Sequence, residues 1–338
     1  MQILRLKIEL LILLAFSGYA PALSQEKGVE EAFAPDSVIA VMYRVNDHFL
    51  ENQWKRNDRN WIRGTYYTGL MAFYQATEDH LLLQQAVNWS AKHGWRTGTE
   101  WIYPANRMTC VQTYLELYFI DPNDYKIANA RDVMDNWIGN NEPASEQGWD
   151  YVDALYVGTP AYVMMSEASG EKAYAEYGHR MFRDVSTNLF DEDLHLFYRD
   201  EKAKRQKSRS GKKVFWSRGN GWAFASIPRI LDHLPQSDTN FAWYLDLFKQ
   251  MASSLRDCQG NDGFWRTNLA DPADYPEPES SGTAFFTYAL AWGINKGYLN
   301  EDSFLPVVNK AWLALYNVVD ENGKVLSLIH ISEPTRPF

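Results

Sequence analysis

Two groups in this sequence could do chemistry together. One is the carboxyl of Asp153, set in Gly148-Trp149-Asp150-Tyr151-Val152-Asp153-Ala154-Leu155. The other is the guanidinium of Arg218, set between two indoles in Phe215-Trp216-Ser217-Arg218-Gly219-Asn220-Gly221-Trp222. Asp150 stands where a helix begins and suits a capping role, because free amides and the positive dipole end favour an ionised carboxylate there. Asp153 lies one turn further in, among apolar neighbours. A carboxyl in that setting is either hydrogen-bonded to nearby backbone or has its pKa raised until it holds a proton near neutrality, as a general acid must. Arg218 offers a permanent planar charge that grips a carboxylate through two hydrogen bonds, and the flanking rings offer faces for a sugar. An acidic sugar combines both features. Ordinary packing of Trp against Arg is the other reading of the same residues.

The whole chain bounds what such a site could bind. Its net charge of -10 excludes the basic footprint that nucleic acid needs. An anionic substrate therefore requires a locally basic region, and residues 199–218 supply one, with nine Lys or Arg against Asp200 and Glu201. Most of that run reads as a solvated loop; Arg199 and Arg218, beside aromatic residues, are the two set apart for binding. Aromatic residues make up 15% of the chain, including 13 Trp, a surplus common to carbohydrate-binding proteins and to large helical cores. The seven His form no metal-ligand pair at helical spacing with a carboxylate cluster, so no catalytic metal is expected. No glycine-rich loop follows a strand and no Ser occupies a nucleophile elbow, so no nucleotide cofactor or serine chemistry is expected either.

The elements that must position these groups are helices. From about Pro35 the apolar periodicity predicts eleven of them, over 36–56, 60–77, 80–96, 106–119, 124–139, 151–167, 171–188, 219–234, 239–256, 281–297 and 302–317. A hairpin between Leu196-Tyr198 and Lys213-Trp216 is the principal strand signal, with 201–211 at its tip. Residues 271–280, rich in Pro, read as a loop, and no linker divides the series, which predicts one domain over 25–325. Residues 1–24 read as a secretory signal, with Arg5 and Lys7 before a short apolar run and Ala22-Leu23-Ser24 before the cut. The expected location is therefore periplasmic or secreted, without stable membrane insertion. Cys110 and Cys258 are expected to be buried thiols. Residues 326–338 have neither helical period nor strand alternation and are expected to be a non-native tail on a truncated gene.

Trp61-Ile62-Arg63-Gly64-Thr65-Tyr66-Tyr67-Thr68-Gly69, Gln112-Thr113-Tyr114-Leu115-Glu116-Leu117-Tyr118, Asp153-Ala154-Leu155 and Phe215-Trp216-Ser217-Arg218-Gly219-Asn220-Gly221-Trp222 together resemble glycoside hydrolase family 105. These are the unsaturated rhamnogalacturonyl hydrolases, related to the unsaturated glucuronyl hydrolases of family 88. The resemblance runs from about Val38 to Val325. It implies an all-α (α/α)6 barrel, a six-hairpin toroid, with the twelfth helix lost by truncation. It also implies that Asp153 is the general acid, that Arg218 holds a uronate carboxylate, and that Trp216 and Trp222 stack on or wall the sugar. Tyr66, Asn106, Trp149 and Arg199 are the remaining substrate-binding positions it points to, with no metal or cofactor. Two positions depart from the family pattern: Asn106 stands where an Asp is frequent, and Arg199 where a His is. The implied substrate is the unsaturated galacturonyl-rhamnose unit that lyases release from rhamnogalacturonan. Unsaturated glucuronyl fragments of ulvan, arabinogalactan or glycosaminoglycans are the alternative, and a non-catalytic toroid binding acidic oligosaccharides is the alternative of another class.

Overall fold

A computed structural model describes residues 29–52, 59–100 and 103–326. The expected signal segment lies outside these residues, as does all of the expected tail beyond Leu326.

All eleven expected helices are present, and they alternate between two kinds. Helices of the first kind are hidden on every side. In α3 (Trp61–Thr77) Arg63 to Phe73 is one buried run. In α10 (Ser217–Leu231) every residue except Arg218 is buried, and in α12 (Ser280–Asn295) burial is continuous from Ser280 to Ile294. Helices of the second kind are amphipathic. In α9 (Lys172–Leu189), Tyr174, Tyr177, Gly178, Met181, Phe182, Val185 and Leu189 are buried at helical spacing together with His179 and Ser186, while the other residues are not. A helix buried all round must be surrounded by other helices, and one with a single apolar stripe must lie outside. The result is an all-α toroid, an inner layer wrapped by an outer one. The first and last described helices meet. A short helix not anticipated from sequence, α1 (Val29–Phe33), buries Ala32, whose carbonyl accepts from Trp312 Nε1 at 2.7 Å. Trp312 belongs to α13 (Glu301–Asn317), the last helix described.

Three local expectations change. The helix expected over 151–167 is two: α7 (Ala154–Val157) and α8 (Thr159–Ser169), separated at Gly158 and restarted by Pro160 in the first turn, where its missing N–H costs nothing. Asp153 is thus the N-cap of a four-residue helix rather than an interior position, and Asp150 is exposed ahead of it. The expected hairpin also pairs differently. Strand β2 (Leu196–Phe197) pairs with β1 (Phe190–Asp191), while Trp216 bridges Asn268. The connection expected from strand pairing is made by the side chain of Asn220, which accepts from Phe197 N at 2.7 Å and donates to Phe197 O at 2.9 Å. Within the Pro-rich 271–280 segment, β4 (Pro278–Glu279) pairs with β3 (Trp265–Arg266). Cys110 is a buried free thiol and Cys258 a partly buried one.

Candidate active site

The site is assembled at one end of the inner helices. Val152 N donates to Arg199 O at 2.9 Å, and Tyr151 bridges Asp200, so the chain leaving β2 is stitched alongside the approach to Asp153. The start of α10 comes in from the other side. A Cβ on Gly219 would lie 2.9 Å from Val152 Cγ1 and 2.8 Å from the Trp216 ring, closer than side chains tolerate. Glycine lets the start of α10 close on Val152, with Arg218 within electrostatic reach of Asp153.

Asp153 is partly open to solvent, yet the mass around it pushes its pKa up from 3.8 to about 6. Desolvation is the main cause; Arg218 is the strongest opposing influence, Arg199 acts in the same direction, and Asp200 adds to the rise. The carboxyl makes no capping hydrogen bond. A carboxyl raised towards neutrality in this way meets the requirement for a proton donor.

Arg218 is held without being neutralised. Its guanidinium lies 4.4 Å from the centroid of the half-exposed Trp216 ring, and Nη1 approaches Ser281 Oγ at 3.5 Å, the outer limit of a hydrogen bond. Ser281 is itself fixed by the buried Glu279, which caps α12 by accepting from Ser281 N at 3.0 Å, Gly282 N at 2.6 Å and the Ser281 hydroxyl. No carboxylate among the described residues forms an ion pair with Arg218. Part of the basic run behaves otherwise. Lys213 pairs with Asp191, Lys212 with Asp271 and Arg209 with Asp274, so this segment is tied to acidic loops distant in sequence. Arg199 is gripped by its neighbour Asp200 through Nε at 2.8 Å and Nη2 at 2.7 Å.

Of the remaining expected contacts, Asn106 is in place and three aromatics are not. Asn106 Oδ1 accepts from Tyr151 Oη at 2.7 Å, beside Asp153. Trp222 has no exposed surface and packs on Tyr156, Phe285 and Trp61. Trp216 caps α10 and is partly exposed, whereas Trp222 lies within the buried helix. Tyr66 is 1% exposed, stacks on Phe49 and donates to Asn46 Oδ1 at 2.7 Å. Trp149 is 2% exposed among Tyr162 and Tyr177, its ring edge against Gly158. All three support the core instead of lining the site. Residues the sequence reading passed over take their place: Tyr151, Tyr103, Asp200, Ser281 and Glu279. Only Asp200 carried a usable signal, as an acid next to Arg199. A separate cavity of about 280 Å³ is lined by Arg107, Val133, Asn136, Trp137 and Asn140; it contains neither Asp153 nor Arg218, and chemistry rather than volume marks the site.

The sequence profile of glycosyl hydrolase family 88 matches residues 36–335. The chain belongs to that family. This family 88 chain is 32% identical over 83% of its length to an unsaturated 3S-rhamnoglycuronyl hydrolase of Alteromonas sp. (strain LOR), covering 73% of that protein. Among solved structures it superposes on a family 88 glycosyl hydrolase from Bacteroides vulgatus with a TM-score of 0.83, at 33% identity and 91% of each chain. It matches a structure described as a polysaccharide lyase equally well, at 0.83 and 31% identity over 91% and 89%. A possible family 105 member from Salmonella enterica shares the fold at a TM-score of 0.72 and 20% identity, covering 92% and 86%. Membership is thus of family 88, with family 105 as a structural neighbour. The chain is a glycoside hydrolase.

Proposed function

We propose that this hydrolase removes a Δ4,5-unsaturated uronic acid from the non-reducing end of lyase-generated oligosaccharides in which the next sugar is rhamnose. The observation that carries the reading is the nearness of Asp153, a desolvated carboxyl with its pKa pushed up to about 6, to Arg218, a guanidinium that forms no ion pair among the described residues. In such a sugar the double bond is conjugated to the carboxylate and joined to the ring oxygen, which makes it an enol ether. Arg218 grips the carboxylate. The protonated Asp153 donates to C4, the alkene supplies the electron pair, and positive charge develops at C5 and the ring oxygen. Water adds at C5 and gives up a proton to the Asp153 carboxylate, regenerating the acid. The resulting hemiketal opens and C1 releases the aglycone. One carboxyl suffices, whereas direct glycosidic hydrolysis uses two; the neutral Asn106 is consistent with the single-acid route.

Glucuronate and galacturonate differ only at C4, and the double bond erases that difference. Discrimination must therefore come from the aglycone side. The name of the Alteromonas relative favours rhamnose there, which fits fragments of rhamnogalacturonan or of ulvan. The test is a panel of purified lyase products with rhamnose or an amino sugar next to the unsaturated uronate, followed by the ultraviolet absorbance of the conjugated double bond. Absorbance should fall, fastest for uronyl-rhamnose. Preference for amino-sugar fragments would reject the aglycone assignment, and rising absorbance on intact polysaccharide would indicate a lyase instead.

A further inference from the structure

Among the described residues nearly all aromatic rings are at least partly buried, and Tyr103 is an exception at a telling place. It is 44% exposed, one of two aromatic residues among the large apolar side chains left open in the described residues. The other, Tyr125, packs on Trp95 and touches no site residue. The Tyr103 ring rests on the Tyr151 ring, with centroids 4.6 Å apart and planes inclined at 60°. Tyr151 is two positions before Asp153 and feels its charge. Asn106 fixes both members of this pair: its backbone N–H donates to Tyr103 O at 3.0 Å, and its side chain accepts from the Tyr151 hydroxyl at 2.7 Å. Two rings anchored to one residue, one beside the acid and one open to solvent, form a fixed ledge rather than a loose surface side chain.

Asp153 feels the charge of Arg218, and Tyr151, the inner ring of this pair, feels the charge of Asp153. A uronate whose carboxylate is on Arg218 and whose C4 is at Asp153 directs C1, and the sugar beyond it, elsewhere than the guanidinium. We infer that Tyr103, seated on Tyr151, is the platform on which the aglycone pyranose stacks its apolar C–H face. The inference rests on the proposed reaction. It gives Asn106 a definite task, that of setting the aromatic ledge, and makes Tyr103 a residue that selects substrates by the sugar following the uronate.

The experiment compares kcat and KM for two substrates, an unsaturated uronyl-rhamnose disaccharide and the methyl glycoside of the same unsaturated uronate. Parent protein should prefer the disaccharide. An aromatic contact of this kind is worth roughly three- to tenfold, so Tyr103→Ala should lower that preference by about this factor, through KM of the disaccharide, while Tyr103→Phe keeps it. Equal losses on both substrates, or a preference unchanged in Tyr103→Ala, would overturn the assignment. Parent protein inactive on both substrates would instead reject the proposed reaction and this inference with it.

Discussion

Helix α10 carries two arginines eleven positions apart, and they have opposite fates. Arg229, near the C-terminal end, is buried and fully engaged: Nε donates to Gln112 Oε1 at 2.6 Å and Nη2 to Glu116 Oε1 at 2.9 Å, while Gln112 donates in turn to the carbonyl of Tyr156. Arg218, at the N-terminal end, is the one residue of the helix not buried, and it meets a ring face and a distant hydroxyl but no carboxylate. The carboxyls differ in parallel. Burial pushes both Glu116 and Asp153 up, but Glu116 touches its arginine while Asp153 feels Arg218 without an ion pair. A guanidinium bonded to protein acceptors belongs to the scaffold. One that is oriented yet left without its natural partner is poised for a partner from outside.

Substitutions can break that contrast, and the largest effect is expected at Asp153. Asp153→Asn should cost at least about 10²- to 10⁴-fold in turnover, the usual contribution of a positioned acid, without loss of fold. Its stability should move the other way. A carboxyl that titrates near 6 in the folded protein against 3.8 outside it contributes stability below 3.8 that is lost as pH rises through 6. The Asn variant should therefore melt higher than the parent at pH 7, with the gain disappearing below 3.8. Next comes Arg229→Ala, which strands a buried carboxylate and should destabilise by about 3–5 kcal/mol. Thermal melts should show it, while KM of the folded enzyme stays near that of the parent. An Arg229→Ala protein with normal melting but poor KM would reverse the assignment of the two arginines. Arg218→Ala should lower kcat/KM by roughly 10- to 100-fold, the loss of a charge-assisted hydrogen bond or two, with little change in melting. Arg218→Lys should recover only part, because an ammonium lacks the planar fork. The smallest effects concern pH. kcat/KM should decline above about 6 as Asp153 loses its proton; Asp200→Asn should move that decline to lower pH and Arg218→Ala to higher pH, and shifts of the same sign would contradict the charge balance described here.

The helices were legible from their apolar periodicity, although the one expected over 151–167 is two. Asp153 and Arg218 were legible as chemistry out of place: an acid among apolar residues and a charge among rings. The aromatic contacts were not. Trp216 and Trp222 sit in one short motif, but the first caps α10 and stays partly exposed while the second lies inside the helix, in the core. Tyr66 and Trp149 have partners distant in sequence that complete the core around them. The basic run looked unbalanced only within its own window, since Asp191, Asp271 and Asp274 arrive from other segments. Tyr103 and Tyr151 drew no notice because their pairing depends on how Asn106 joins the short 104–108 turn to the approach of Asp153.

The central claim is that Asp153 protonates C4 of an unsaturated uronate. Turnover in deuterated water, with aglycone release and loss of ultraviolet absorbance followed together, tests it most directly. The two signals should keep step one for one, and the released keto acid should carry deuterium at C4 from the first turnovers, with neither signal seen for Asp153→Asn. Aglycone released while the double bond persists would contradict the claim.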